Sequence, residues 1–221
     1  MPRMFHPSFG HEIQVDVGTL SEDPDEQVAQ VIGMMLDYSD VDANSPEILH
    51  DARQACIQAN GDCIRGNFDD VKKRIAFIQD EDVSEPFTGW LDGPIPEVLV
   101  RPVDMRRMAN PQGDCDCFSM TIRSRLLALG IPTKFCTVAV DPDDPARFSH
   151  VYAVADCSNG RCGPNWDGRV ALDTSHMPGP GFEAPNPFGK RAEWPGISGF
   201  EMFGLVLIIG AVGWGAFQMW R

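Results

Sequence analysis

Apolar residues recur at helical spacing from Asp25 to Leu36, where Val28, Val31, Ile32, Met35 and Leu36 share one face, so a first helix is expected there. Upstream, Ile13-Gln14-Val15-Asp16-Val17 alternates as a short strand does. Ser45-Pro46 is a start signal: an N-cap hydroxyl, then a proline whose missing N–H costs nothing in the first turn. That second helix runs through Ile48, Ala52, Ala55 and Cys56 and stops at Asn60-Gly61. A third, Asp69 to Gln79, presents Val71, Ile75 and Ile78, and Ser84 to Pro96 is broken by Gly and Pro into loop. From Cys115 the chain runs without a breaker to Leu129, with Phe118, Ile122, Leu126 and Leu129 in one stripe; Gly130 stops the helix and Pro132 lies just beyond. The period then changes to two. Thr133–Val140, Ser149–Ala155 and Arg169–Asp173 read as three strands with short connections, an antiparallel sheet packed on the cysteine helix. The fold class is α+β.

The pattern divides the chain into a strand and helix lead-in over 1–44, a core over 45–176, a Pro- and Gly-rich stretch over 177–198 that reads as an extended linker, and an apolar segment over 199–221. Met202 to Trp220 is apolar except for Gln218, and as a helix it would span roughly 28 Å, about the hydrocarbon thickness of a bilayer. Trp214, Trp220 and Arg221 gather at one end as an interfacial belt does. A single C-terminal membrane anchor is therefore expected through residues 202–220; a hydrophobic tail packed into an assembly or a virion is the competing reading.

Charge removes one class of partner. Eighteen Lys and Arg against 32 Asp and Glu leave the chain at −14, which argues against nucleic acid, since a phosphate backbone is held by clustered cations. Seven cysteines, an odd number, with no secretory h-region in the first thirty residues, point to a reducing compartment and a cytoplasmic catalytic domain, or to a cysteine kept free for chemistry. The Ser158-Asn-Gly-Arg161 turn can set Cys157 opposite Cys162, as free thiols or, on oxidation, as a cross-strand disulfide; the reducing reading favours the thiols. No paired CxxC knuckles and no histidine pair at ligand spacing occur, so neither metal nor cofactor is expected.

Cys115 sits at the start of the amphipathic helix, where unpaired N–H groups and the macrodipole favour thiolate over thiol. His150 opens the second strand and Asp173 closes the third, and an antiparallel relation brings those two ends together. A nucleophilic thiol needs a base beside it and a third group to fix the imidazole tautomer. Cys115, His150 and Asp173 supply those parts.

Four words flank the three residues in order: Gly113-Asp-Cys-Asp116, Leu129-Gly-Ile-Pro132, Ser149-His-Val-Tyr152 and Ala171-Leu-Asp-Thr174. With them the chain resembles the transglutaminase-like superfamily of cysteine proteases and acyltransferases, in its small phage- and prophage-encoded form, over about residues 68–176. The family ends the nucleophile's helix with a Gly-Ile-Pro word fifteen residues on; Cys115 to Gly130 is fifteen, so Cys115 rather than Cys117 matches the nucleophile. The resemblance implies a papain-like fold, a Cys–His–Asp triad acting on a protein or peptide amide, and an oxyanion met by the Cys115 N–H and a side-chain donor, here Gln112. Cys117, where related chains are often acidic or small, would be a resolving thiol or a packing group. A membrane-anchored cysteine hydrolase or acyltransferase, with a phage virion as one setting, is the leading expectation; a non-enzymatic membrane or virion assembly protein that keeps the fold is the rival.

Overall fold

The protein is described from a computed structural model, over residues 3–6, 11–14, 21, 23–79 and 99–195. Strands β1 (Arg3–His6) and β2 (His11–Gln14) form an antiparallel pair. Three helices follow: α1 (Pro24–Asp42), α2 (Pro46–Gln58) and α3 (Cys63–Arg74). A two-residue strand β3 (Ala76–Phe77), a short helix α4 (Pro102–Arg107) and β4 (Gln112–Gly113) lead into the central helix α5 (Cys115–Ala128). Strands β5 (Thr133–Val138), β6 (His150–Asp156), β7 (Arg169–Leu172) and β8 (Arg191–Trp194) form one antiparallel sheet in the order β7-β6-β5-β8. The mixed α+β class and the antiparallel sheet packed on the cysteine helix are as the sequence pattern implies.

Local chemistry explains the helix limits. Asp23 caps α1 by accepting from the N–H groups of Asp25 and Glu26, with Pro24 at the first helical position. α1 continues to Asp42 because no breaker intervenes after Leu36. At α2 Ser45 does occupy the cap position, but its hydroxyl goes to Glu47 Oε2 rather than to a helix N–H. The third helix begins at Cys63 and ends at Arg74, ahead of the Asp69–Gln79 span that periodicity alone predicts. Asp62 caps it through the Arg65 N–H, and Ile75 turns extended, with φ −96° and ψ 125°, to enter β3. Ile75, buried in the core, and Ile78, packed against it, flank β3 and do not continue a helical face.

α5 is buried from Asp116 to Leu126, with helices α1, α2 and α3 on one side and the sheet on the other. Phe118, Ile122 and Leu126 lie in one core with Phe135, Ala153 and Leu172 of the sheet's inner face and Ile32, Met35 and Phe68 of the helices. Removing each large side chain from water contributes about 1.5–3 kcal/mol, so this three-layer contact carries most of the fold. Arg123, 1% exposed, stitches the layers together: its Nε donates to the Thr133 carbonyl, Nη2 pairs with Asp40 at 2.8 Å, and the guanidinium lies 5.1 Å from the Phe135 ring. The helix ends where expected, with Gly130 at φ +73° and its N–H on Leu127 while the Ile131 N–H reaches Leu126.

Two expectations change. The stretch after Met177 is not a detached linker as far as Pro195. Ala184 packs on the sheet's outer face against Cys136, Tyr152 and Val154, and β8 pairs with β5 along Phe135–Trp194 to Val138–Arg191. Its prolines and glycines shape turns over a surface that would otherwise expose apolar strand positions. The cysteines also differ: Cys157–Cys162 and Cys56–Cys63 are disulfides, leaving Cys115, Cys117 and Cys136 as thiols. The Cys162 carbonyl accepts the N–H groups of Cys63 and Ile64, so the two bridges meet at the start of α3. Four paired cysteines withdraw the thiol-count argument for a reducing compartment. Among the described residues no helix is long and apolar enough to cross a membrane; the expected anchor at 202–220 and the loop at 84–96 lie outside them.

Candidate active site

The chain places the N-terminus of α5 against the sheet by a small device. β3 and β4 pair in parallel, Ala76 with Gln112 and Phe77 with Gly113, with the Ala76 N–H on the Pro111 carbonyl and the Ile78 N–H on Gly113. Gly113 is required by proximity: a Cβ there would stand 2.5 Å from Cys117 Cβ. Asp114 is the N-cap residue and Cys115 the first residue of α5. Gly113→Ala should push β4 off the helix start, costing about 1–3 kcal/mol by overpacking and slowing alkylation of Cys115. Denaturant melts and an iodoacetamide rate measure the two effects separately.

Cys115, partly buried, lines a groove of about 510 Å³ together with Asp114, Asp116, His150 and His176. One wall is α1, through Val28, Val31, Ile32 and Met35; the other is the loop between β5 and β6, with Val140, Asp141, Arg147 and Phe148. The loop is tied across the groove to α1. Lys190 pairs with Asp25 at 2.7 Å, donates to the Ala146 carbonyl and sits 4.4 Å from the Phe148 ring, while Arg147 Nη2 reaches Gln27.

His150 and Asp173 meet as their strand positions imply. His150 Nε2 lies 2.8 Å from Asp173 Oδ2, with both side chains buried. The other carboxylate oxygen, Oδ1, accepts from the Ser175 hydroxyl at 2.7 Å and from the His176 N–H at 3.1 Å. Burial by itself pushes the Asp173 carboxyl up, but the His150 hydrogen bond and charge, with the Ser175 and His176 donors, hold it below its ordinary value of 3.8. A depressed carboxylate favours folding above its unfolded pKa and loses that contribution as pH falls through the folded one. His176, exposed but partly withdrawn from water at its ring, shifts down as well, first through that desolvation and then through repulsion from His150. For a base, that means protonation near and below about pH 6.5 opposes the folded arrangement.

His176 is the groove residue beside His150 that sequence reasoning misses. Its ring stands edge-on to His150 at 5.1 Å and to Phe77 at 4.9 Å, and its Nδ1 is 2.9 Å from Ser175 Oγ. A histidine just after a strand end carries no periodic signal; only the Asp-Thr-Ser-His word marks a turn that could fold back on the aspartate. Gln112 is paired in β4 and is not among the residues lining the groove, whereas Gln79, just beyond β3, is. Cys117 is 1% exposed, and its sulfur accepts the Val100 N–H at 3.4 Å. It packs in the core, which is one of its two expected roles.

No protein-family model matches the chain, and no curated protein and no solved structure gives a significant match. Function is therefore read from the site itself.

Proposed function

We propose that the protein is a transglutaminase-like cysteine hydrolase or acyltransferase that acts on an amide bond through Cys115, His150 and Asp173. The observation that carries this reading is the buried His150–Asp173 pair, at 2.8 Å, opening onto the same groove as a cysteine at the first position of a core helix. Asp173 engages Nε2 of the ring, so Nδ1 is the nitrogen left to exchange a proton with a thiol. The helix dipole and the imidazolium favour a thiolate at position 115, and together they must outweigh Asp114 and Asp116 for the ion pair to form. The thiolate attacks the carbonyl carbon, the C–S bond forms, and the tetrahedral oxyanion is met by the Cys115 N–H and a side-chain amide. Gln79 is better placed for that second donor than Gln112, because it lines the groove. The imidazolium gives its proton to the leaving amine as the C–N bond breaks. Water or a second amine, deprotonated by the same ring, then releases the acyl group from the thioester. Asp173 keeps the ring in the tautomer that can do both.

The groove supports a polypeptide acyl donor. One wall is apolar through Val28, Val31 and Met35, and Cys115 lines the same groove together with Asp114 and Asp116. An apolar side chain on the substrate would lie along α1. Labelling the folded protein with an amide-derived electrophile at pH 6 and mapping the adduct tests the reading: modification at Cys115 alone supports it, and modification no faster than that of a small thiol, or none, removes it.

The apolar run 202–220 supports a membrane anchor for this domain. The full chain should partition into the detergent phase of a Triton X-114 separation, and a chain truncated after Pro195, which keeps β8, should stay in the aqueous phase. A full-length monomer that stays aqueous would remove the anchor and favour the apolar tail as an assembly element.

A further inference from the structure

Beside the His150–Asp173 pair the groove holds a third group that the triad chemistry does not use, His176. His150, Asp173 and His176 each offer a ligand atom, and these three atoms lie within 4.8 Å of one another. Two imidazoles and one carboxylate suit a borderline d-block cation such as zinc, not magnesium or calcium, which take oxygen ligands. The surroundings are those of a supported site. Asp173 is 1% exposed, and its far oxygen is held by the Ser175 hydroxyl and the His176 N–H, the kind of second-sphere restraint that orients a ligating carboxylate. Ser175 donates to Asp173, so it accepts from His176 Nδ1, which assigns the proton of that ring to Nδ1 and the lone pair to Nε2. His176 is exposed and follows a turn, so its ring can swing toward the pair.

We propose that His150, Asp173 and His176 bind one Zn²⁺ ion, and that the bound ion holds the cysteine chemistry off. The second half of this inference rests on the hydrolase reading above; the first does not. The ion replaces the proton shared between His150 Nε2 and Asp173 Oδ2. Bonds form from zinc to that nitrogen, to the carboxylate oxygen and to His176, and the Nε2 proton of the imidazolium leaves to solvent. Zinc bonds of about 2.0–2.1 Å in tetrahedral geometry set ligand atoms about 3.3 Å apart, so the 2.8 Å pair opens by about half an ångström and His176 closes in. With zinc on Nε2 the proton of His150 is fixed on Nδ1. That proton, taken from Cys115 in the ion pair, is held far more tightly than in the imidazolium, so the ring can neither give it to the leaving amine nor take one from the attacking water, and its acid and base roles are withdrawn while the fold is kept. The fourth position is left to water.

The test uses the full chain with its disulfides intact, freed of metal by a chelator and titrated with Zn²⁺ against a chromophoric competing chelator at pH 7. One ion per chain is expected. His176→Ala should weaken binding about tenfold or more, Asp173→Asn by a comparable factor, and Cys115→Ser should leave it unchanged. Because Asp173→Asn is buried and could disturb the fold, the exposed His176→Ala variant, checked by circular dichroism, is the deciding one. Absence of one-to-one binding, binding untouched in His176→Ala, or binding lost in Cys115→Ser would each overturn the site. Hydrolysis of a p-nitrophenyl ester, measured alongside, reads the second half: zinc should stop it and EDTA restore it. Hydrolysis that needs zinc overturns the off-switch. No hydrolysis under any condition removes the hydrolase reading and leaves the zinc site to be judged on the titration alone.

Discussion

Alkylation of Cys115 should proceed at a nearly constant rate between pH 5 and 8 in the wild-type protein, and His150→Ala should convert that plateau into a rise of about tenfold per pH unit up to the ordinary thiol pKa of about 8.5. The shape of the profile is the deciding quantity, not the rate at one pH. A low-pKa thiolate is abundant in acid but intrinsically less nucleophilic, with a Brønsted slope of about 0.4–0.5, so the two effects largely cancel near neutrality. At pH 5 they do not: an ordinary thiol is ionised only about one part in three thousand, and abundance wins. Turnover falls further than labelling. Loss of the nucleophile or the base should cost about 10⁴-fold or more in kcat on any substrate the protein is found to hydrolyse. Asp173→Ala should keep the labelling plateau and lose turnover, because the carboxylate acts through the ring and not on the thiol. Cys117→Ser should change neither, since that sulfur is buried beneath the Val100 N–H. A plateau that survives His150→Ala would show that the helix terminus alone holds the thiolate, and the triad would fall as a mechanism.

Reduction of the two disulfides should lower the melting temperature by about 10–15 °C. Each closes a short loop, over sequence separations of 7 and 5, and the chain-entropy estimate for loops of that size is about 2–2.5 kcal/mol apiece. For a domain of this size a loss of about 4–5 kcal/mol corresponds to that shift. The bridges are not independent in space, since the Cys162 carbonyl accepts from the α3 start that Cys63 opens. Cys56→Ala/Cys63→Ala should therefore also loosen the turn at Cys162, and the double loss should fall short of the sum of the two measured separately. Calorimetry with and without a reducing agent measures the total; a melting temperature unchanged by reduction would show that the bridges do not form or do not constrain the unfolded chain. If they form in the cell, the domain folds in an oxidising compartment, and an anchor at 202–220 would leave it outside the cytoplasm.

These two expectations differ in how far the amino-acid sequence alone supports them. Cys115, His150 and Asp173 are each legible, because their signals are local. A breaker-free amphipathic run fixes where a helix starts, period-two runs fix where strands begin and end, and antiparallel pairing of consecutive strands then brings His150 near Asp173. Gly130 and Pro132 punctuate the helix through backbone conformation and a missing donor, which act at their own positions in any fold. Elsewhere one apolar residue serves several architectures. Ile75 and Ile78 fit a helical face and a strand equally well, and the Asp62 cap together with the parallel β3–β4 contact decides between them. Likewise the Pro- and Gly-rich stretch after Met177 carries no period, so only the exposed outer face of the sheet, with Ala184 and β8 laid on it, shows that it belongs to the domain.

The central helix and the three strands that follow it, net charge and the three residues of the proposed triad can be read along the chain, since each depends on composition or on neighbours a few positions away. Packing settles the rest: which cysteines are joined, that Gln79 and not Gln112 faces the groove, and that His176 stands against His150. Those relations connect residues brought together across layers. Their partners lie tens of positions apart or across a turn, and no periodicity or spacing encodes a distance that only the closed fold creates.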